Sequence, residues 1–220
     1  DRLAFYSYAH VPWIKGNGQR GFNEENLPKD AEKRKLYETG KQLLSANGYH
    51  EIGMDHFALS SDSLFHAAHN KKMHRNFMGY SASKTQLMIG LGVSSISDSW
   101  YSFAQNTKSL EEYYRILRED QLPIVKGHIL DEEDLIIRKH ILNLTCDLET
   151  SWSNESLYFK ELPSVLLDLE EIEKDKLIVI EENKLKITEA GRPFVRNICM
   201  AFDLHLKRKS PETNLFSMTV

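Results

Sequence analysis

Cysteine is scarce in this sequence, which holds only Cys146 and Cys199 among 220 residues. Two thiols so far apart do not make a disulfide framework, so a reducing cytoplasm is the simplest expectation. Apolar runs are short as well, and none approaches the ~20 residues that a membrane span requires. The first residues are not basic and do not form a signal peptide. We therefore expect a cytoplasmic protein that has no membrane partner.

Neither positive nor negative charge is in large excess. The formal net charge is −4, with 27% charged and 41% hydrophobic residues, as in ordinary globular proteins. The length allows one or two domains with a sizeable core. The chain starts at Asp1 and is strand-like from its first residues. We expect it to be a segment of a longer protein, because three parallel strands cannot close a barrel and an all-parallel sheet normally needs cover on both faces.

The order of secondary structure changes along the chain. Strand-like runs are predicted at Leu3–Ala9, at HEIGMDHFA from His50 and at Leu87–Ser97, with a helix from about residue 30 to 47 before the second run. Strand, helix, strand at this spacing predicts parallel strands with crossover helices. From about Ser109 helices dominate. The last part predicts a helix, a hairpin turning at residues 181–183, and a final helix from Thr188, which is a winged-helix-like order.

Histidines are frequent between residues 52 and 80, and a metal site is the first hypothesis to weigh. His66 and His69 are three apart on a predicted helix, with Asp55, His56 and His74 nearby in sequence. No HExxH or paired CxxC pattern is present, although zinc sites usually show such spacing. We interpret His66 and His69 as solvated helix residues and predict no metal site.

The glycines of GLGVSS, from Gly90, are typical of close backbone approach. The segment lacks the third glycine of a dinucleotide-binding fingerprint. Glycines inside a strand allow either a ligand or a neighbouring backbone to come near. Both interpretations stay open at this point.

Polar residues follow each predicted strand, at Tyr8–His10, Asp55–Phe57 and Ser95–Ser97. The carboxyl ends of parallel strands form the active-site mouth in barrel-like sheets, and only one of Asp55 and His56 should point inward. The alternative is that polar residues merely cap the strands. The run His74-Arg75-Asn76-Phe77 offers cations beside a ring, which suits a flat molecule fringed with carboxylates. A plain surface loop is the other interpretation of this run.

Several longer motifs carry a resemblance. These are YHEIGMDHFA, MHRNFMGY, LMIGLGVSSIS, FAQN at residues 103–106 and GRPFVRNICMAFD near the end. In this order they resemble the C-terminal half of oxygen-independent coproporphyrinogen III oxidase (dehydrogenase), a radical S-adenosylmethionine enzyme. The resemblance implies an α/β fold: the C-terminal strands and helices of a partial (β/α)6 barrel at residues 1–107. A mostly helical domain with a winged-helix-like hairpin follows at residues 108–220.

The resemblance also implies a function. The family decarboxylates two propionates of coproporphyrinogen III oxidatively to vinyl groups, giving protoporphyrinogen IX without oxygen. By motif, Ala9 and Ile96 correspond to S-adenosylmethionine contacts, and Phe77 and Met78 neighbour a second such molecule. His74, Arg75, Asp55 and His56 are our own candidates for substrate binding, while the catalytic proton donors and the external electron acceptor are not identified.

The family's CxxxCxxC motif does not occur in this sequence. A [4Fe–4S] cluster needs closely placed thiolates, which Cys146 and Cys199 do not offer. We expect the cluster to be bound by an N-terminal half and this segment alone to be inactive. The native enzyme is expected to be a monomer, whereas the segment could self-associate through a sheet edge.

Two rival functions are suggested by parts of the sequence. The first is a haem chaperone that shares the radical fold, although the GMDHFA and HRNFMGY motifs fit the oxidase better. The second is a nucleic-acid-binding winged helix, whose recognition helix should be basic. The helix before the hairpin is instead acidic, with five carboxylates against Lys174. We therefore expect no nucleic-acid partner.

Overall fold

The computed structural model describes residues 1–12, 18–19, 21 and 24–209, and the mixed α/β class is confirmed. The first sheet contains β1 (Arg2–Ala4), β2 (Tyr49–Gly53) and β3 (His56–Leu59), and helix α1 (Asp30–Ala46) connects β1 to β2. The strand order is β1-β3-β2, and both ladders are antiparallel. The predicted helix at residues 30–47 is thus confirmed.

The predicted parallel pairing is wrong for the described residues, in which every ladder is antiparallel. The segment HEIGMDHFA is two strands and not one, since residues 54–55 form a tight turn in which Met54 has a φ of 44°. β3 then lies between β1 and β2, which run in the same direction without pairing. The crossover helix was predicted correctly, but an inserted strand takes the place of the parallel neighbour.

The strand ends differ from the prediction for the same reason. β1 ends at Ala4, so residues 8–10 lie beyond it; Asp55 lies in the β2–β3 turn, and Phe57 lies inside β3. Contrary to the prediction, Tyr8–His10, Asp55 and Phe57 therefore do not mark the carboxyl ends of parallel strands.

A short helix and a hairpin follow the first sheet. Helix α2 (Ser63–His69) begins after Asp62, whose carboxylate accepts a hydrogen bond from the Leu64 amide. His66 and His69 are exposed on it, which confirms the interpretation of solvated residues. Strands β4 (His74–Asn76) and β5 (Gly79–Ser81) form a separate two-stranded ladder.

A four-stranded sheet comes next, with the order β6-β7-β8-β9. Its strands are β6 (Leu87–Met88), β7 (Ile96–Ser99), β8 (Ser102–Asn106) and β9 (Ile124–Ile129), with α3 (Leu110–Arg118) before β9. The single strand predicted over Leu87–Ser97 is wrong, because a glycine loop divides it.

The glycine loop is explained by packing. A Cβ on Gly90 would lie 2.7 Å from the Ile96 carbonyl oxygen, and Gly92 has a φ of 97°. The Asn106 side-chain amide donates to the Gly90 and Gly92 carbonyl oxygens, at 3.2 and 2.9 Å. These contacts favour the interpretation in which the glycines allow a neighbouring backbone to come near.

The rest of the chain is largely helical. Helix α4 (Glu132–Asp147) starts with a capping box formed by Asp131 and Asp134. It is followed by β10 (Glu149–Ser151), α5 (Leu162–Asp168), α6 (Glu170–Lys174), β11 (Ile178–Glu181), β12 (Lys184–Ile187), α7 (Val195–Ala201) and α8 (Leu204–Lys209). The hairpin predicted at residues 181–183 is confirmed as β11–β12, and β10 joins its free side. The final helix starts later than predicted, because Thr188 instead opens a turn that precedes it.

Two apolar clusters form the core. The larger is built from helices α4 to α8 and the β10–β12 sheet, and the smaller lies under β2–β5 around Leu64 and Tyr80. β9 completes the sheet of the first half although it follows residue 107, so the boundary between the two domains remains a prediction. Among the described residues, no helix is both long enough and apolar enough to cross a membrane.

Candidate functional site

The hairpin β4–β5 presents Phe77 and Met78 at its tip. The Met78 amide donates to the Asn76 side-chain oxygen at 2.9 Å, which holds the turn. Gly79 follows with a φ of 111°, and a Cβ there would lie 3.0 Å from His56 Nε2. Phe77 is 55% exposed and Met78 84% exposed. The hairpin thus holds two apolar side chains at the surface while its base packs against β3.

Phe77 also connects this hairpin to the four-stranded sheet. Its ring packs edge-on against Phe103, with centroids 5.1 Å apart. Phe103 is paired with Asp98, and Gln105 with Ile96. Paired residues share a face of a sheet, as do alternate residues of one strand. Phe77 therefore packs on the face of the sheet that carries Ile96.

Ala9 lies in the exposed segment after β1. The Gln19 side-chain amide donates to the Ala9 carbonyl oxygen at 3.0 Å, while its oxygen accepts from the Val11 amide at 2.7 Å. β1 and β7, the strand that Ile96 opens, belong to different sheets. That Ala9 and Ile96 bind one ligand stays a prediction.

Arg75 and Tyr80 form the centre of a second group with His56. The Arg75 guanidinium lies 4.9 Å from the centroid of the Tyr80 ring, and the His56 ring lies 5.2 Å from it. Tyr80 Oη donates to the Thr145 carbonyl oxygen of α4 at 2.9 Å. A Cβ on Gly53 would lie 2.7 Å from Tyr80 Oη, so glycine is needed for this ring position.

Burial determines the electrostatics of the same group. It raises the pKa of the Asp55 carboxyl, against the opposing effect of Arg196, His56 and Arg75. It lowers the pKa of His56, and the Arg75 cation lowers it further. His56 is therefore neutral at pH 7, beside a permanent cation.

His56 has one more property that points to a ligand. Its Nδ1 atom is buried and has no hydrogen-bond partner within the described part of the chain. Buried polar atoms in proteins are nearly always paired, so an orphaned one marks a place for a ligand or water. The group can thus offer a fixed positive charge and a neutral imidazole nitrogen to the same molecule.

His74 faces a different environment from Arg75, as expected for neighbours on a strand. Burial lowers the pKa of His74, and the cations Lys84 and Arg138 lower it further. It lines a cavity of about 430 Å³ together with Trp100. Four lysines line the same cavity: Lys71, Lys72, Lys84 and Lys139. The structure therefore divides the four candidate substrate residues into His74 on one side and Arg75, Asp55 and His56 on the other.

Two residues beside the cavity escaped the sequence analysis. Arg138 of α4 donates both to Asp98 Oδ1, at 2.8 Å, and to Asp98 Oδ2, at 3.1 Å. It also lies 4.7 Å from the centroid of the Trp100 ring. No local pattern could reveal this pair, because its members are far apart in sequence. Tyr80, in contrast, lies within the motif MHRNFMGY and could have been singled out.

One of the two cysteines, Cys146, lines the same cavity as His74. Both are free, as expected. Burial raises the pKa of Cys146 to about 11 and that of Cys199 to about 12. A [4Fe–4S] cluster needs several closely placed thiolates, which these two cysteines do not supply.

The fold and sequence have clear relatives, although no family model matches the chain. It is 35% identical over 218 residues to the oxygen-independent coproporphyrinogen III oxidase of Escherichia coli (strain K12), covering 96% of this chain and 47% of that protein. The enzyme of the same name from Synechocystis sp. is 36% identical over 229 residues, which is 100% of this chain and 49% of that protein.

A solved structure agrees with these relatives. It is the E. coli coproporphyrinogen III oxidase, described as a radical SAM enzyme, with a TM-score of 0.84 and 34% identity. The match covers 94% of this chain and 48% of the solved one, so the chain spans about half the length of the relatives it matches. Along nearly its whole length, this chain is similar to the C-terminal half of oxygen-independent coproporphyrinogen III oxidase.

Proposed function

We propose that the chain is the C-terminal part of an enzyme that oxidatively decarboxylates two propionates of coproporphyrinogen III to vinyl groups by radical S-adenosylmethionine chemistry. The observation that carries this proposal is the similarity to coproporphyrinogen III oxidases over nearly the whole chain, in sequence and in fold. The product is protoporphyrinogen IX, and the site of action is the cytoplasm.

The proposed architecture is the end of a partial (β/α)6 barrel at residues 1–107 and a helical domain at residues 108–220. β1 and β2 run in the same direction around the crossover helix α1, which supports the barrel. Helices α5 and α6, the hairpin β11–β12 and helix α7 follow in winged-helix order, which supports the second domain. β1 and β2 are edge strands of their sheet, so self-association of the isolated segment would use them.

S-adenosylmethionine is proposed to contact Ala9 and Ile96, with Phe77 and Met78 beside a second molecule. The exposed apolar tip of the β4–β5 hairpin, packed on the face that carries Ile96, fits the flat apolar part of such a ligand. The molecule supplies the radical chemistry when it is bound. The [4Fe–4S] cluster is proposed to be bound by residues outside these 220, and the segment alone to be inactive.

The substrate carries carboxylates, and the Arg75 group has the chemistry to bind one. Arg75 is a permanent cation suited to a carboxylate. The unpartnered Nδ1 of neutral His56 provides a second polar contact. Asp55, whose pKa burial raises, is proposed as a further substrate-binding residue because its charge interacts with those of Arg75 and His56. His74 and the lysines of its cavity form a second cationic surface for other carboxylates of the macrocycle.

Arg75→Ala in the intact enzyme tests the substrate site. Loss of a charge-assisted hydrogen bond should raise KM for coproporphyrinogen III by about 10- to 100-fold. Arg115→Ala is the matched control, because Arg115 is exposed on α3 and pairs with Glu119 at the surface. Unchanged KM and kcat in Arg75→Ala would remove the assignment.

The activity itself needs a separate assay. The intact protein, supplied with S-adenosylmethionine and a reductant without oxygen, should release carbon dioxide from coproporphyrinogen III. A protein that holds haem but leaves coproporphyrinogen unconverted would be the haem chaperone instead.

A further inference from the structure

Two histidines and an aspartate from three separate elements meet at one point of the surface. His128 lies on β9, Asp134 in the first turn of α4 and His205 on α8. His128 Nε2 is 2.7 Å from Asp134 Oδ2, and His205 Nε2 is 2.7 Å from Asp134 Oδ1. One ligand atom of each residue lies within 4.8 Å of the others. Both imidazoles therefore direct their Nε2 atoms toward the Asp134 carboxylate.

This donor set is one that transition metals bind. Zinc accepts imidazole nitrogen and carboxylate oxygen at about 2.0–2.2 Å, which places neighbouring ligand atoms of a tetrahedral ion about 3.3–3.6 Å apart. The two contacts to Asp134, at 2.7 Å, would lengthen by less than about 1 Å to admit the ion. Two imidazoles with one carboxylate also leave coordination positions for water, as in catalytic zinc and facial-triad iron sites.

The surroundings support the carboxylate while leaving the rings accessible. The Asp134 side chain is only 9% exposed, whereas those of His128 and His205 are 49% and 52% exposed. The Asp131 amide donates to Asp134 Oδ2 at 3.3 Å, which helps to orient the ligand. Arg208, on the same helix as His205, is paired with Glu133 and Glu161, so its charge is offset.

The charge balance also favours a cation. Glu132 and Asp134 lie in the first turn of α4 together with Glu133, whose charge Arg208 already offsets. They oppose the positive end of the helix dipole, whose effect is only about 0.3–1 kcal/mol at an exposed site.

We propose that His128, Asp134 and His205 form a divalent metal site, with zinc as the preferred ion, which fastens helix α8 to β9 and the start of α4. The site was not predicted, since ligands at 128, 134 and 205 follow no recognisable spacing. It does not depend on the proposed activity. Because the three ligands come from separate elements, a bound ion would cross-link them and stabilise the folded state.

Zinc titration of the purified protein, freed of loosely bound metal with a chelator, tests the proposal. The protein should bind one more zinc ion than the double variant His128→Gln/His205→Gln, and its Tm should rise with zinc only when the three residues are present. Each single histidine variant should lose at least about 10-fold in affinity, on the scale that even supporting contacts of a metal site show. Cobalt in place of zinc should give visible absorption bands that Asp134→Asn removes.

His66→Gln/His69→Gln is the matched control, because it removes two exposed histidines elsewhere and should leave the zinc stoichiometry unchanged. If the His128→Gln/His205→Gln protein binds zinc with the same number and affinity as the unmodified protein, the site does not exist. The proposal also fails if substitutions of the three residues change the stability at acidic pH but leave zinc binding unchanged, since the residues would then form ion pairs only.

Discussion

At the scale of single residues, His140 shows how burial fixes a protonation state. Its ring is completely buried in the larger cluster. Its Nε2 lies 2.8 Å from the Leu157 carbonyl oxygen, which can only accept, so Nε2 carries the proton. Nδ1 must then accept from the Thr150 hydroxyl at 2.8 Å, while that hydroxyl accepts from the Asn143 amide at 3.2 Å. The neutral tautomer satisfies every group.

A pH dependence of stability follows from this arrangement. Burial lowers the pKa of His140 below that of the unfolded chain, about 6.5. Between the two values only the unfolded state binds the proton, so the free energy of unfolding falls as the pH drops below about 6.5, by at most about 1.4 kcal/mol per pH unit for this group. Denaturant unfolding at several pH values should show this loss.

His140→Gln isolates the contribution, because burial lowers the pKa of His56 and His74 as well. The variant should lose less stability between pH 7.5 and pH 5.5 than the unmodified protein. Equal losses in the two proteins would mean that His140 is not the titrating group.

At the scale of elements, the connection between β12 and α7 depends on one tight contact. The Thr188 hydroxyl donates to the Lys176 and Leu177 carbonyl oxygens, at 2.9 and 3.0 Å, and the Gly191 amide donates to Thr188 Oγ1. A Cβ on Gly191 would lie only 1.9 Å from the Leu177 carbonyl oxygen. The turn therefore packs directly on the backbone that precedes β11.

Gly191→Ala should accordingly lower the free energy of unfolding by at least about 1–3 kcal/mol, the usual cost of overpacking. The clash is with backbone, which cannot move aside as a side chain can. Gly21→Ala is the control, because no atom of the described residues lies within 4 Å of a Cβ at that position. Chemical denaturation measures both variants, and equal stabilities would contradict the close contact.

At the scale of the whole molecule, α4 joins the two proposed domains. Arg138 pairs with Asp98 of β7, and Thr145 accepts from Tyr80 of β5. Met54 packs against both apolar clusters. β9, which follows residue 107, belongs to the same sheet as β6, β7 and β8, which precede it. With so many contacts across residue 107, we expect the two parts to unfold together.

Tryptophan fluorescence can test this cooperativity. Trp100 contacts Arg138 beside the sheet of the first half, and Trp152 lies in the larger cluster. The third tryptophan, Trp13, is replaced as well, so that in Trp13→Phe/Trp152→Phe the signal comes from Trp100 in the first half, and in Trp13→Phe/Trp100→Phe it comes from Trp152 in the second. For each variant, the unfolding curve followed by fluorescence should coincide with the unfolding curve followed by circular dichroism, so that differences in stability between the variants do not matter. A fluorescence midpoint separated from the circular dichroism midpoint would show that the halves unfold independently.

Local signals predicted much of the secondary structure. The bounds of α1 and the turn of the β11–β12 hairpin depend on residues near one another, so a stretch of sequence contains the whole cause. The predicted strand pairing was wrong because the turn at residues 54–55 and the loop at Gly90 each fold the chain back on itself. Strand-like composition does not reveal such reversals.

The sequence by itself determined the α/β class, the order of helices and the likeness to coproporphyrinogen III oxidases. Only the tertiary structure decided which candidates meet. It separated His74 from Arg75, placed Tyr80 and His56 beside that arginine, paired Arg138 with Asp98 and gathered His128, Asp134 and His205. The reason is physical: helices and turns arise from contacts between near neighbours, whereas a site is made by side chains that chain folding brings together from distant positions.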